Sequence, residues 1–377
     1  MRKKILLLHR WLGLLTGLVV AIVAATGCLY AFADEIETWG MNSVAHRASD
    51  PLLAPETLAL SARRQLAEKG DSAVKIIGIT YRAKGLTARL TYMDSQNGSH
   101  TILIDPYHGH IVGSLRGETF FAWVLKGHRS LWLPYGIGHL MVGWATAIFV
   151  LVLISGLVLW SPRRWNKTLV RSRLTVRWKA GENRRMYDLH NTLGFYISLL
   201  AVIIAFIGLT WSFPPLAKGY YRMLTNRELL EWNLPVSDTT QRTGQSNVAQ
   251  KLWKRHCAMI PQKGKGSLRF DFPQDKSGAY LVVFNPDNHR YGRQVYWFYD
   301  QYSGNLLNGG GSYAIPPSDM KMGDKIFRAS YDIHSGSILG YTGRVVIFLV
   351  SLVAATLPFT GFLLWRKKRK RRPLRRA

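Results

Sequence analysis

Four stretches of this 377-residue chain are apolar over about 20 residues, the length an α-helix needs to cross a bilayer. They are Ile5–Phe32, Gly138–Trp160, Leu189–Trp211 and Ser337–Trp365. Between the first and second, and again between the third and fourth, the pattern changes. "APETLALSARRQLAEKG" and "SNVAQKLWKRH" space their apolar positions as one face of a helix. Further on, "ILIDPYHGHIVG" (Ile102–Gly113) and "YWFYDQYSGNLL" (Tyr296–Leu307) each run from a strand-like segment to an aspartate, to a glycine four residues later (Gly109 and Gly304), and into a second run. That is the pattern of a β-hairpin.

The pattern predicts a membrane α-helical bundle of four transmembrane helices with two extracytoplasmic α+β domains. The segments are a helix in 1–32, a domain over 33–137, a helix in 138–160, a basic loop over 161–188, a helix in 189–211, a second domain over 212–336, a helix in 337–365 and a tail over 366–377. It also predicts an internal duplication. "LHRWLG" at Leu8–Gly13 recurs as "LHNTLG" at Leu189–Gly194, "SGLVLW" at Ser155–Trp160 recurs as "TGFLLW" at Thr360–Trp365, and the two hairpin segments match. Two halves that start on the same side of the membrane are related by a pseudo-two-fold axis along its normal.

Charge decides the class. A formal charge of +28 fits a nucleic-acid binder or a membrane protein with basic loops. Of the 50 cations, 22 lie in three short stretches: Arg2, Lys3, Lys4 and Arg10, nine between Arg163 and Arg185, and nine between Arg366 and Arg376. The long connections are close to balanced. The positive-inside rule therefore places both termini and the short loop in the cytoplasm and the two domains outside, and removes nucleic acid as a partner. A cleaved signal peptide is the alternative for the first helix, since "MRKK" precedes an apolar run and "ATGC" at Ala25–Cys28 resembles a lipoprotein site. The repeat argues for retention, because a discarded leader need not copy an internal membrane helix. Cys28 and Cys257 read as free, and Cys257 beside His256 is a weak metal signal.

On this topology the histidines fall in two layers. His9 and His190 are repeat-equivalents near the cytoplasmic ends of the first and third helices. His128 in "KGHRSLWLP" and His334 in "YDIHSGSILGYTG" stand just before the returning helices, at the outer face. Facing imidazoles at one depth are what a b-type haem needs, because its iron takes one axial nitrogen from each side and the porphyrin suits an apolar bundle. Two haem b groups are expected, with His9, His190, His128 and His334 as axial ligands. His139 is an alternative outer ligand, or a partner for a propionate or a further outer haem. His46, His100, His108, His110 and His289 read as solvated, with "HGH" at His108–His110 a weak metal signal. Gly13, Gly17, Gly27, Gly136, Gly138 and Gly143 permit close approach of a backbone or a flat group. No cytoplasmic segment has the glycine-rich strand–turn–helix of a nucleotide site, so electrons come from a quinol, a partner protein or a cytoplasmic reductant. No catalytic triad or carboxylate pair stands out.

"HRWLGLLTG", "GHRSLWLP", "SGLVLWSPRR", "YDLHNTLGFY" and "DIHSG", which together cover nearly the whole chain, resemble the PepSY-associated transmembrane family of bacterial inner-membrane proteins. Within it the chain looks most like the ferric-siderophore reductases. That resemblance implies PepSY-like outside domains, haem, and reduction of iron on a ferric siderophore in the periplasm. The other readings are a non-enzymatic PepSY membrane protein that binds or restrains a peptidase, and a haem or metal transporter.

Overall fold

The fold comes from a computed structural model that describes residues 1–37, 39, 43–44, 50–71, 73–115, 118–162, 166–241, 247–263, 266–287 and 290–370. The first half runs through α1 (Arg2–Tyr30), α2 (Ala33–Glu37), α3 (Pro55–Glu68), β1 (Lys75–Arg82), β2 (Ala88–Met93), β3 (Ser99–Ile104), β4 (Ile111–Ser114), α4 (Glu118–Ser130) and α5 (Tyr135–Trp160). A short α6 (Lys167–Leu174) and α7 (Glu182–Asp188) lead to α8 (Gly194–Ser212) and α9 (Pro214–Thr225). The rest is α10 (Val248–His256), β5 (Ser267–Asp271), β6 (Ala279–Asn285), β7 (Val295–Asp300), β8 (Leu306–Leu307), α11 (Met322–Arg328), α12 (Ser330–Ser335) and α13 (Gly340–Lys370).

These elements form two compact units. One holds Met1–Ala33, Thr119–Tyr220 and Ile333–Ala377. Its four long helical runs, Arg2–Tyr30, Tyr135–Trp160, Glu182–Ser212 and Ser337–Lys367, are long and apolar enough to span a membrane. α1 packs on α5 and α13, and α5 and α13 pack on α8. Leu153, Ile197, Ala201, Val350 and Ala354 form the buried centre, while Leu15, Leu18 and Leu199 are about 70% exposed, as side chains that face lipid are. Pro358 interrupts the hydrogen-bond ladder of α13, and Gly17 lies where a Cβ would come within 3.1 Å of it. Between α7 and α8, Leu189–Leu193 form a π-helical turn.

The other unit, Asp34–Glu118 and Tyr221–Asp332, is α+β. Two outside α+β domains were expected, one in each half. Their strands join in one eight-stranded antiparallel sheet, ordered β4-β3-β2-β1-β5-β6-β7-β8. The join is β1 against β5, with Gly78 opposite Asp271 and Arg82 opposite Ser267. The reason is physical: two four-stranded sheets would each leave a row of unpaired backbone groups on these edges. The core runs through as well, since α3 (Leu58, Ala62) and α10 (Val248, Leu252) cover one face made of Ile79, Leu90, Phe270 and Val282. Both predicted hairpins are present, with Gly109 at φ +77° and Gly304 at φ +73°. The preceding aspartates cap these turns, Asp105 accepting from the amide of Tyr107 at 2.8 Å and Asp300 from that of Ser303 at 2.8 Å.

Candidate functional site

Within the helical unit, four histidines meet in two pairs. His9 of α1 faces His190 of the π-helical turn with ring centres 6.4 Å apart and planes at 84°. His128 of α4 faces His334 of α12 at 6.3 Å and 72°.

Each ring is held through Nδ1 by a neighbouring helix. His9 Nδ1 lies 2.9 Å from Ser155 Oγ and 3.0 Å from the Val152 carbonyl, both on α5. The Ser155 hydroxyl donates to that same carbonyl, so it accepts from the imidazole N–H. His190 Nδ1 lies 2.8 Å from Thr360 Oγ1 on α13, and this hydroxyl donates in turn to Leu357 O. In the second pair the acceptors are carbonyls, Val23 of α1 for His128 at 2.8 Å and Ile204 of α8 for His334 at 2.9 Å. Among the described residues, all hydrogen bonds of the four rings run through Nδ1. An N–H fixed there leaves the lone pair on Nε2, the tautomer that ligates a metal.

A glycine abuts every ring. Cβ atoms placed at Gly156, Gly361, Gly27 and Gly208 would lie 3.3, 3.2, 3.0 and 3.5 Å from Cε1 of His9, His190, His128 and His334 respectively. The contacts repeat in register. Val23 and Gly27 follow His9 by 14 and 18 residues, and Ile204 and Gly208 follow His190 by the same 14 and 18.

The chain leaves the second pair through tight turns. Gly336 takes φ +80° two residues after His334. After His128 the same need is met by Leu131 and Trp132 at φ +53° and +60°, a strained conformation for bulky side chains. The Trp132 indole donates to the Trp123 carbonyl at 2.9 Å and lies over Gly127, where it leaves no room for a Cβ.

His139 stands apart from both pairs. It stacks on Tyr135 at 4.8 Å, and its Nε2 lies 3.3 Å from the carbonyl of Trp211, whose own ring meets His334 edge-on at 4.9 Å. His100 and His108 pair with Asp94 at 2.8 Å and Asp105 at 3.0 Å, and His110 is exposed. His46, His289, Arg163 and Arg164 lie outside the described residues. His256 is buried in the α+β core, its Nε2 2.8 Å from the Tyr299 hydroxyl, and burial together with the Arg255 charge lowers its pKa from 6.5 to about 4. Among the described residues no group of three or more His, Cys, Asp or Glu is placed to hold an ion.

Reading the sequence missed Ser155, Gly156, Thr360 and Gly361 as site residues, although their signal was present. They are the Ser-Gly and Thr-Gly that open the recurring "SGLVLW" and "TGFLLW". Asp188, 2% exposed and clamped by Arg184 at 2.9 Å and Arg177 at 3.2 Å, anchors the chain just before His190 and was missed too.

A search of curated proteins returned no match to the chain. The family model of the PepSY-associated TM region matches residues 6–368. The match takes in both histidine pairs, the four long helices and the sheet, and the chain belongs to the PepSY-associated transmembrane family.

Proposed function

We propose that the chain holds two haem b groups, one on His9 and His190 and one on His128 and His334, and passes electrons across the bacterial inner membrane to ferric iron in a siderophore at the periplasmic face. The observation that carries this reading is the pair of ring separations, 6.4 and 6.3 Å. An imidazole nitrogen lies about 1.2 Å from its ring centre and a metal–imidazole bond is about 2 Å, so two rings on opposite sides of one ion have centres about 6.4 Å apart. The donor set fits as well: Nδ1–H is engaged on every ring, and the surrounding helices supply the apolar walls a porphyrin needs.

A haem held by either pair of imidazoles would supply one-electron transfer. The chain's own residues do the rest. Ser155, Thr360 and the carbonyls of Val23 and Ile204 fix the ring planes, and the four glycines let the rings lie against the helix backbones. The offsets of 14 and 18 residues separate the pairs by about 21–27 Å along α1 and α8, most of a bilayer core of about 30 Å. Their equality in both halves supports an internal duplication about an axis along the membrane normal. The basic segments favour cytoplasmic termini, with the α+β unit in the periplasm.

Siderophores bind ferric iron through hard oxygens and hold ferrous iron far more weakly, so one electron releases the metal without an acid, a base or a nucleophile. The donor is a quinol or a cytoplasmic reductant. The test is to record the reduced-minus-oxidised spectrum of the purified protein, then add ferric siderophores anaerobically to the reduced form. Low-spin b-type bands, reoxidation and capture of ferrous iron by a chromogenic chelator are expected. Absence of stoichiometric haem sinks the reading.

A further inference from the structure

Outside the helical unit, one face of the sheet carries a set of aromatic and cationic side chains that the core does not use. The core of the α+β unit lies on the face of Phe270, Val282 and Tyr299, so the alternate residues Arg269, Val283 and Tyr296 point the other way. The register sets these three in one row across β5, β6 and β7, spanning about 10 Å. Around Tyr296 stand Tyr313 at 5.0 Å and Trp232 at 5.6 Å, the latter 53% exposed.

Two arginines flank these rings. The Arg328 guanidinium lies 4.7 Å from the Tyr313 ring, is only 2% exposed, and bonds to the Gln294 carbonyl and to Met320 Sδ at 3.0 Å. No carboxylate is among its hydrogen-bond partners, and its Nε has none among the described residues. The nearby Asp324 is ion-paired with Arg227. Arg269 lies 3.2 Å from Asp271 but keeps 42% of its side chain exposed. Burial pushes the Asp271 carboxyl up, against the pull of Arg269. A buried cation without its own carboxylate is costly and leaves a positive field beside the rings.

We propose that the Trp232–Tyr296–Tyr313 platform with Arg269 and Arg328 docks an anionic, aryl-bearing ferric chelate, a tris(catecholate) siderophore. That the ligand is a ferric chelate rests on the function proposed above. The exposed Trp232 ring offers a face on which a catechol stacks, the Arg269 guanidinium meets its oxyanions, and the buried Arg328 adds positive charge beneath the rings without touching the ligand. A ferric tris(catecholate) is a trianion, whereas a tris(hydroxamate) complex is neutral and gains nothing from this field.

The test uses the full-length protein in detergent and the redox-inert gallium(III) complexes of one hexadentate tris(catecholate) and one tris(hydroxamate), in equilibrium dialysis. The catecholate should bind at least about tenfold more tightly, and less so as salt rises. Trp232→Ala and Arg269→Gln should each weaken it about tenfold, with Trp232→Phe restoring most of the first loss and Arg269→Lys, which keeps the charge but not the fork of donors, part of the second. Equal binding of the two complexes, or unchanged binding in both Trp232→Ala and Arg269→Gln, overturns the proposal. Gallium catecholate that binds while the iron complex fails to reoxidise the reduced protein sinks the reductase reading and leaves the docking site standing. Reoxidation by the hydroxamate complex without catecholate binding does the reverse.

Discussion

Replacing Gly27 by alanine should disturb the His128–His334 pair, while the same change at Gly208 should leave it intact. The new Cβ at position 27 would stand 3.0 Å from His128 Cε1 and 3.2 Å from Nδ1, whereas at 208 it would stand 3.5 Å from His334 Cε1. Optimal carbon–carbon contact is about 3.5–4.0 Å, so the His128 ring must retreat by about 0.5 Å and the His334 ring need not move. His128 has little slack, because its Nδ1 is tied at 2.8 Å to Val23 O on the same helix as Gly27. Overpacking of this kind costs about 1–3 kcal/mol, against a gain of up to about 1 kcal/mol from replacing a helical glycine. Gly361→Ala and Gly156→Ala, at 3.2 and 3.3 Å from His190 and His9, should fall between. The assay is haem per protein by pyridine haemochrome, with the low-spin fraction read from the visible spectrum. Gly27→Ala should lose one haem or turn it high-spin, and Gly208→Ala should keep both. Equal losses at the two positions, or full low-spin haem in Gly27→Ala, would refute the packing argument.

Replacing His9 or His190 by alanine should remove one haem and replacing His334 the other; full content in all three variants would end the two-pair reading. Phosphatase fusions within residues 50–120 or 230–320 should be active and a fusion after residue 376 silent, and activity at that last position would reverse the orientation proposed. His256 titrates near 4 when folded against 6.5 ordinarily, so the unfolded state binds the extra proton between these values. The stability of the α+β unit should therefore fall by up to about 3 kcal/mol as pH drops from about 6.5 to 4. A His256→Gln variant should lose that slope in denaturant titrations, and an unchanged slope would count against it. Asp188→Asn should loosen the segment before His190, read as faster proteolysis in residues 166–188 with the His128–His334 haem retained.

Much of the plan is visible in the chain because its signals are local. An apolar run of about 20 residues is a membrane span whatever it packs against, and an aspartate followed four residues later by glycine makes its own turn. The recurrence of "LHRWLG" as "LHNTLG" singles out His9 and His190 in the sequence itself. It is silent on what holds the rings, because Val152 and Ser155 lie more than 140 residues from His9. For the same reason Gly13 and Gly136, which look like close-approach glycines in sequence, have no contact nearer than 3.9 Å, while Gly156, Gly208 and Gly361 each meet an imidazole.

The sequence by itself thus determined the four spans, the two hairpins and the four candidate histidines, since periodicity, turn chemistry and repeats act over a few residues. Tertiary structure alone decided that the two α+β segments share one sheet, because an edge strand is satisfied by whichever edge folding brings to it, here β1 against β5 across about 190 residues. It alone turned His139 toward the Trp211 carbonyl and set His128 against His334. The sequence offered both His128 and His139 as the partner of His334, and the choice between them depends on how helices distant in sequence pack.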